Sequence, residues 1–338
     1  MLRFAVIGQG HIGKRHAEMI RRNTQTHLVS VCDILPASEV GLSDISEPYY
    51  QDVTAMLAAE QVDVVCICTP NGLHASHALE ALAANCHIVV EKPFALTQTD
   101  GARVIQKAKE HGKKLFCVMQ NRYSPPAVWL KELVSSNKLG QIYAVQLNCL
   151  WNRDERYYSG DNWHGTRDMD GGTLFTQFSH FIDIMYWLFG DITDIHAVLR
   201  DFNHQQLTDF EDSGFVTFRF TQHNAIGTLT YSTALWDSNM ESSLTILAEH
   251  GSVRVAGQYM NEVSYCHVKD YTLPTLAPVA PPNDYGAYKG SAQNHHYVIQ
   301  NVVDALCHNT PITTSAEEGL KVVEIIERIY NAGHATHS

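Results

Sequence analysis

The sequence has few basic residues, and this shortage narrows the range of possible partners. Lysine and arginine together number 24 against 36 aspartates and glutamates, so the formal net charge is −12 with histidine neutral. Nucleic-acid binding depends on basic side chains that neutralise phosphates, and no run of them offsets the acidity here. We therefore expect no nucleic-acid partner.

Long apolar runs are also missing. None of them approaches the roughly 20 residues that a membrane-spanning helix needs. The chain begins directly on a strand-like segment, without the charged and apolar regions of a signal peptide. We therefore expect a cytoplasmic protein that has no membrane partner.

The sequence lacks the usual metal-binding and disulfide patterns. Its 19 histidines form no H-E-x-x-H or similar motif, so no metal site is expected. Cys66 and Cys68 alternate within a strand-like run and do not form a C-x-x-C pair. Most of the eight cysteines lie in or beside apolar segments, and we expect all of them to be reduced thiols.

A glycine-rich turn is present between a short apolar strand and a helix near the start of the chain. Gly8, Gly10 and Gly13 occupy the G-x-G-x-x-G spacing of dinucleotide-binding folds. The first glycine would allow the tight turn, the second would let backbone N–H groups approach a pyrophosphate, and the third would let the helix pack close to the sheet. The helix N-terminus would attract the phosphates. The alternative is a turn without a ligand.

Asp33 ends the second apolar run, about 20 residues past the last glycine of the motif. A carboxylate at this position holds the ribose hydroxyls of NAD and would repel the 2′-phosphate of NADP, and no arginine follows immediately. We therefore predict NAD as the cofactor, contacted by the loop residues Gly8, Gly10, His11 and Ile12. An ordinary loop or helix-capping acid is the alternative for Asp33.

Strand-like and helix-like segments alternate through the first 120 residues, which is typical of a doubly wound parallel sheet. Beyond residue 122, longer segments with period-two alternation follow one another with few helices between them. We assign these strands to 141–150, 214–220, 225–232 and 243–247. The sequence thus predicts an α/β fold with an NAD-binding Rossmann domain over residues 1–121. Residues 122–338 would form a substrate-binding and oligomerisation domain with an open, mostly antiparallel sheet.

Lys92 is the first candidate for a chemical role. It stands between Glu91 and Pro93 at a strand end, beside the predicted nicotinamide site. An ammonium group there could hydrogen-bond a substrate hydroxyl and lower the pKa of that hydroxyl. The alternative is a surface lysine paired with Glu91.

His180 is the second candidate. A helix predicted over 173–189 places it on one face with Thr176 and Asp183. An imidazole suits proton removal from an alcohol as hydride leaves the same carbon, and Asp183 could orient the ring. The alternative is a core histidine whose hydrogen bonds are satisfied by Asp183.

Together, these motifs resemble those of the Gfo/Idh/MocA oxidoreductase family over essentially the whole chain. They are the glycine motif with His16, Thr69-Pro70-Asn71 with His74, Glu91-Lys92-Pro93, Gln120-Asn121-Arg122-Tyr123, and the double-glycine helix with His180 and Asp183. The resemblance implies enzymes that oxidise or reduce sugar and cyclitol carbons with NAD(P), with Lys92 and His180 as the catalytic pair. It also implies a homodimer or homotetramer formed through the open sheet. The implied cofactor contacts are Thr69, Pro70, Asn71, His74, Glu91 and Asn121.

Within that family the chain is similar to the UDP-N-acetylglucosaminuronate 3-dehydrogenases of bacterial surface-polysaccharide synthesis. The shared features are Tyr157-Tyr158, Trp163-His164-Gly165-Thr166, Asp170-Gly171-Gly172, Gln177-x-Ser179-His180 and Asn294-His295-His296. The implied substrate contacts are Arg122, Trp163, His164, Thr176, Gln177, Asp183 and His296. Two positions differ, because the group usually has arginine in place of His164 and asparagine in place of Thr176. Loss of the arginine removes a bidentate partner for a carboxylate, which makes a neutral nucleotide sugar a plausible substrate.

The predicted reaction is therefore NAD-dependent oxidation of a sugar hydroxyl, at C3 of a UDP-N-acetylated sugar or its uronic acid. Lys92 would polarise the hydroxyl and His180 would take its proton. Two alternatives stay open, an inositol or free-hexose dehydrogenase of the same family and a non-catalytic NAD-binding sensor. The presence of both Lys92 and His180 argues against the sensor, which needs neither.

Overall fold

A parallel sheet with flanking helices forms the first part of the chain in the computed structural model, which describes residues 1–159, 163–284, 286 and 288–335. Its strands are β1 Leu2–Ile7, β2 Thr26–Cys32, β3 Tyr49–Tyr50, β4 Val64–Ile67, β5 His87–Val90 and β6 Leu115–Cys117. Its helices are α1 His11–Arg22, α2 Val53–Ala59, α3 His74–Ala83 and α4 Gln98–Glu110. The strands pair in the order β3-β2-β1-β4-β5-β6, and every pairing is parallel. This order confirms the doubly wound sheet, in which ligands bind at the carboxyl ends of the strands.

A mostly antiparallel sheet forms the middle of the chain. Its strands are β7 Ile142–Leu150, β8 Ile192–Arg200, β9 Ser213–Phe220, β10 Ile226–Ser232, β11 Glu241–Ala248, β12 Gly251–Ala256 and β13 Glu262–Val268. The accompanying elements are α5 Pro125–Ser135, α6 Glu155–Tyr158, α7 Ser179–Phe189 and a small hairpin of β14 Pro282–Asp284 and β15 Lys289–Ala292. The sheet order is β13-β12-β11-β7-β10-β9-β8, and only the β7–β10 pairing among these described strands is parallel. The expected second sheet is confirmed, with β8, β12 and β13 added to the strands that the sequence predicted.

The chain divides into two units, and the division differs from a single cut after residue 121. The first unit is Met1–Met119 with His295–Val323, and the second is Gln120–Asn294 with the segment that begins at Glu324. Helix α8, His295–Cys307, packs against α1, and a bridge joins Phe116 to Ser315 just before α9, Ala316–Ala335. The segment 295–323 therefore adds to the first unit, although the sequence placed it in the second domain. Residues 336–338 at the end of that predicted domain lie outside the described residues.

One face of the second sheet carries exposed apolar side chains. Val198 pairs with Phe215 across β8 and β9, while Ile226 and Leu247 are both paired with Ala144 of the central strand β7. Phe215 is 62% exposed and Ile226 is 60% exposed. The other face is buried, as the strict alternation along β9 shows. The expectation of an open sheet is thus confirmed.

All eight cysteines are free thiols, as the sequence led us to expect. Burial raises the pKa of the Cys66 thiol, so this cysteine stays protonated and unreactive. None of the helices in the described part of the chain combines the length with the hydrophobicity that crossing a bilayer requires.

Glu211 is an unusual acid in the second unit, because its carboxyl group is buried although the residue as a whole is partly exposed. Its Oε1 accepts a hydrogen bond from the Tyr231 hydroxyl at 2.9 Å. Burial raises the pKa of Glu211 to about 7, and hydrogen bonds from Tyr231 and Tyr330 oppose the rise only in part.

Because the pKa of Glu211 is raised, we expect the folded state to lose stability as the pH rises. The unfolded chain releases this proton near pH 4.5 and the folded chain near pH 7, so the folded state binds more protons between these values. The loss across this window is roughly 3 kcal/mol. A Glu211→Gln variant stays neutral, so its melting temperature should exceed that of the wild type at pH 8 by more than at pH 5. Thermal unfolding at both pH values measures this difference, and Glu39→Gln, which changes an exposed residue, is the control. An equal difference in melting temperature at both pH values would contradict the prediction.

Candidate functional site

The glycine turn after β1 has the geometry of a dinucleotide cradle. Gly8 has φ +87°, and a Cβ there would come 2.5 Å from the carbonyl oxygen of Cys68. A Cβ on Gly13 would come 1.8 Å from the carbonyl oxygen of Gly8, so α1 can begin close to the strand only without that side chain. A Cβ on Gly10 would contact no other part of the described residues within 4 Å. The turn is therefore closed toward the protein and open at Gly10.

The N-terminus of α1 is suited to an anion. Gly10 is the N-cap residue and has no side chain to bind the N–H groups of the first turn, to which His11 and Ile12 belong. His11 is exposed. The N–H groups at the start of a helix and the positive end of the helix dipole together favour a phosphate group. These residues therefore fit the pyrophosphate of NAD.

Asp33 lies directly after β2, beside the glycine turn. Its Oδ2 accepts from the backbone N–H of Gln9 at 2.6 Å and its Oδ1 from that of Leu35 at 3.0 Å. The carboxylate thus ties the end of β2 to the glycine turn, which is the loop role that the sequence left open. Each carboxylate oxygen can accept more than one hydrogen bond, so the contact with the ribose of NAD stays a prediction.

His74 is held by protein groups at both ring nitrogens. Nδ1 lies 2.7 Å from the carbonyl oxygen of Pro93, and Nε2 lies 2.9 Å from that of Thr69. Burial lowers the pKa of His74, although both hydrogen bonds oppose the change. The resemblance implied a cofactor contact, but in the structure both ring nitrogens contact carbonyl oxygens in the turns that follow β4 and β5. Beside it, Pro70 is half-buried and Asn71 is buried.

Glu91 is also engaged by the protein. Its Oε1 lies 2.8 Å from Nε2 of His16 and 3.4 Å from Nε2 of His295, and all three residues are buried. Its Oε2 accepts from the backbone N–H of Lys92 at 3.3 Å. Glu91 is therefore in contact with two imidazoles, and its implied contact with the cofactor stays a prediction. Lys92 itself is half-buried, directly after this carboxylate.

His180 lies in the second unit, just after an irregular helical turn. A π-helix over Leu174–Phe178 precedes α7, so the regular helix begins at Ser179 and not near 173 as expected. Such π-turns within helices occur frequently at functional sites. The His180 side chain is buried, with its Nε2 3.1 Å from Nε2 of Gln120. Because the amide N–H donates, His180 Nε2 is the accepting nitrogen in this pair.

Asp183 pairs with Arg122, and this pair bears on the role expected of Asp183 beside His180. Arg122 donates from Nε to Oδ2 at 2.8 Å and from Nη2 to Oδ1 at 2.6 Å, and both side chains are about 1% exposed. The Arg122 guanidinium also lies 5.3 Å from the centre of the Trp187 ring. Removing either member of such a buried pair would leave an uncompensated charge, so each supports the other, and the substrate contacts expected of Arg122 and Asp183 stay predictions. The carboxylate expected to orient His180 binds Arg122 with both oxygens.

Several expected substrate residues meet around the Tyr157 hydroxyl. Gln177 Nε2 donates to this hydroxyl at 2.8 Å, and Nδ1 of His164 lies 3.1 Å from it. The rings of Tyr157 and His164 are 4.4 Å apart, and the ring of Trp163 is 3.9 Å from that of His164. Tyr157, Trp163, His164 and Gln177 thus form one group in the second unit.

Asp170 and Arg153 extend this group on its two sides. Asp170 Oδ2 lies 3.5 Å from Nδ1 of His164, and Thr176 donates to both the carbonyl and the carboxylate of Asp170. Arg153 Nε donates to Gln177 Oε1 at 2.8 Å. The Arg153 guanidinium is buried among three rings, at 4.8 Å from Trp151, 5.2 Å from Tyr157 and 5.0 Å from Tyr288. Sequence reasoning missed Arg153, because an isolated arginine after a strand gives no pattern.

The remaining expected contacts are divided between the two units. Asn121 belongs to the second unit, where its Oδ1 accepts from the Ser291 hydroxyl at 2.8 Å. His296 is exposed in the first unit and its ring lies 4.0 Å from that of Tyr297. The neighbouring His295 is the residue that reaches Glu91. Successive side chains on a helix differ by about 100° in direction, so the two histidines face different surroundings, and the expected substrate contact of His296 stays a prediction.

The geometry of the cradle predicts opposite results for two glycine substitutions. Gly10→Ala should leave the melting temperature almost unchanged, because its Cβ meets open space, but should weaken NAD binding by about tenfold or more by keeping the pyrophosphate from the backbone. Gly13→Ala should lower the melting temperature by several degrees, because its Cβ collides with the Gly8 carbonyl. Thermal unfolding without ligand and NAD titration calorimetry measure the two effects. A Gly10→Ala protein that binds NAD normally would contradict the assignment.

Comparisons with known proteins agree with this architecture. Residues 2–119 match the Gfo/Idh/MocA model described as an oxidoreductase family with an NAD-binding Rossmann fold, and residues 128–254 match the Gfo/Idh/MocA C-terminal domain. D-glucoside 3-dehydrogenase of Escherichia coli (strain K12) is 34% identical over 152 residues, which are 44% of this chain and 43% of that protein. Inositol 2-dehydrogenase of Salmonella typhimurium (strain LT2) is 28% identical over 195 residues, 56% of this chain and 55% of that protein. The match thus spans about half the length of these curated relatives.

A solved structure is similar over nearly its whole length. The WlbA dehydrogenase from Bordetella pertussis, crystallised in complex with NADH and UDP-GlcNAcA, is 28% identical with a TM-score of 0.88. The likeness covers 99% of this chain and 97% of that one. Fold, glycine cradle and family models agree, and the chain belongs to the Gfo/Idh/MocA oxidoreductase family, whose NAD-binding Rossmann domain it carries in its first unit.

Proposed function

We propose that this protein oxidises a sugar hydroxyl carbon by hydride transfer to NAD. The substrate would be a UDP-linked N-acetylated sugar or its uronic acid, oxidised at C3 for the synthesis of surface polysaccharide. The observation that carries the proposal is the likeness over 99% of the chain to a dehydrogenase whose structure holds NADH and UDP-GlcNAcA. The open cradle at Gly10 supports the cofactor half of this proposal.

Lys92 and His180 are the catalytic residues in this proposal. The Lys92 ammonium group would donate a hydrogen bond to the reacting hydroxyl and stabilise negative charge as it develops on that oxygen. His180 would accept the hydroxyl proton at Nε2. Bound NAD supplies the hydride acceptor.

Gln120 supports the role of His180 as a base. Its amide N–H donates to Nε2 of His180, which marks this nitrogen as the one with the lone pair, and the substrate hydroxyl would replace the amide as the donor before its proton moves to Nε2. After the proton arrives, rotation of the amide would present Oε1 of Gln120, which is buried and without a hydrogen-bond partner among the described residues. The same side chain can thus match both protonation states of the imidazole.

The group around Tyr157 is the proposed binding site for the sugar. Trp163 offers an apolar ring, while His164 and Gln177 offer hydrogen-bonding groups in a buried network. His164 lacks the planar five-donor fork by which an arginine holds a carboxylate in two hydrogen bonds. The site therefore suits a neutral N-acetylated sugar as well as its acid.

Replacing either catalytic residue should remove turnover and leave NAD binding in place. Lys92→Ala and His180→Ala should each lower kcat by about 10²–10⁴-fold, the range typical of a lost general acid or base. NADH formation is followed by absorbance and NAD binding by titration calorimetry. Lys109→Ala and His223→Ala change exposed residues of the same types and serve as controls. Full turnover in either active-site variant would remove that residue from the mechanism.

A substrate panel separates this proposal from the two alternatives. UDP-N-acetylglucosamine or its uronic acid should reduce NAD with a higher kcat/KM than free glucose or inositol. Preference for inositol would favour the alternative suggested by the match to inositol 2-dehydrogenase. NAD binding without reduction by any member of the panel would favour a sensor.

We also propose that the protein assembles as a homodimer or homotetramer through the open face of the second sheet. Phe215 and Ile226 on this face are more exposed than is usual for large apolar residues, and such patches mark interaction surfaces. Phe215→Glu combined with Ile226→Glu should shift the molecular mass measured by light scattering toward the monomer. Val128→Glu, at an exposed apolar residue of α5, is the matched control. An unchanged mass in the double variant would exclude this face.

A further inference from the structure

We propose that His295 is a positioning residue for Lys92. Together with His16 it holds the buried carboxylate of Glu91, and so it fixes the strand end from which Lys92 projects. The inference rests on the proposed catalytic role of Lys92 and adds a residue to which no role has been assigned.

The contacts within the first unit bring three separate elements to one carboxylate. His16 comes from α1, Glu91 directly follows β5, and His295 is the first residue of α8. The Nε2 atoms of the two histidines lie 2.8 Å and 3.4 Å from the same oxygen of Glu91. Their rings meet edge to face with centres 5.5 Å apart. Helix α8, which carries His295, packs against α1, which carries His16.

The charge of Glu91 depends on both imidazoles. Burial alone would raise the pKa of Glu91, but the interactions with His16 and His295 outweigh it and hold the pKa well below its ordinary value. Burial in turn lowers the pKa of His295. By distance and angle only His16 makes a hydrogen bond to Glu91, since both ring nitrogens of His295 are buried without a hydrogen-bond partner in the described part of the chain. The cluster is therefore a carboxylate that accepts one hydrogen bond from His16 and has the buried His295 imidazole 3.4 Å away.

This arrangement has a direct consequence for Lys92. The second oxygen of Glu91 accepts from the Lys92 backbone N–H at 3.3 Å, so the carboxylate links the lysine's own backbone to α1 and α8. His16 lies one turn beyond Gly13, in the helix that starts the dinucleotide cradle. The cluster thus fixes the position of the Lys92 backbone relative to the dinucleotide cradle. Loss of one imidazole would leave a buried carboxylate with one partner fewer, which it can relieve by moving toward water.

The same three side chains could instead be ligands of a metal ion, since their donor atoms lie within 4.8 Å of one another. A zinc ion would need each of them at about 2.0–2.2 Å and a fourth ligand as well. The observed 2.8 Å between His16 and Glu91 is an ordinary hydrogen-bond distance. We therefore assign the cluster to hydrogen bonding, and the metal content of the purified protein is part of the test.

The test compares His295→Leu and His295→Gln in the wild-type and Lys92→Ala backgrounds. His295→Leu should lower kcat by about tenfold and change the Kd for NAD by less than about twofold. His295→Gln should recover most of the rate, because an amide keeps a polar N–H donor group beside the carboxylate. In the Lys92→Ala background neither change should lower the residual rate further, because a residue that acts through Lys92 has no effect once Lys92 is gone. His308→Leu changes an exposed histidine shortly after α8 and is the control.

Different outcomes separate this inference from the proposed function. An unchanged kcat in His295→Leu, when Lys92→Ala is inactive, would overturn the inference alone. An equal loss in both backgrounds, or one bound zinc per chain whose removal lowers the rate, would also overturn it. Full turnover in Lys92→Ala would overturn the catalytic role of Lys92 and the inference together. Should His295→Leu fail to fold, His16→Leu and His295→Gln carry the same comparison, with the melting temperature as the check.

Discussion

The close approach of α1 to the ends of β1 and β4 is the constraint on which the first unit depends. It requires a positive φ at Gly8 and the absence of a side chain at Gly13, where a Cβ would lie 1.8 Å from a carbonyl oxygen. Because the helix begins so near the strand, its start lies at the open turn around Gly10 and its second turn brings His16 to Glu91. One backbone contact therefore serves both the cofactor cradle and the carboxylate beside Lys92.

Buried polar groups organise the second unit in a comparable way. The Arg122–Asp183 pair lies on one side of α7, and the network through Arg153, Gln177 and Tyr157 precedes it along the chain. Each of these groups costs free energy to bury unless its hydrogen bonds are made. The network consequently restricts the side chains around the proposed sugar site to few arrangements, which is what a specific binding site requires.

Four residues that belong to recognisable motifs bind protein groups in this structure. His74, Glu91, Arg122 and Asp183 each have partners at both ends of their functional group. A motif shows that a residue type is needed at a position, and the need can be the support of a neighbour. Lys92 follows Glu91 directly, so in this motif the supporting residue and the proposed catalytic residue are neighbours in the chain.

The sequence by itself determined the parallel sheet, the glycine cradle and the open second sheet, because hydrophobic period and glycine spacing are local properties of the chain. It also selected Lys92, His180 and most residues around Tyr157. Only the tertiary structure decided that 295–323 joins the first unit, that Asp183 binds Arg122, and that His295 and not His296 reaches Glu91. These are contacts between residues far apart in the chain, and composition and period carry no information about which buried groups meet.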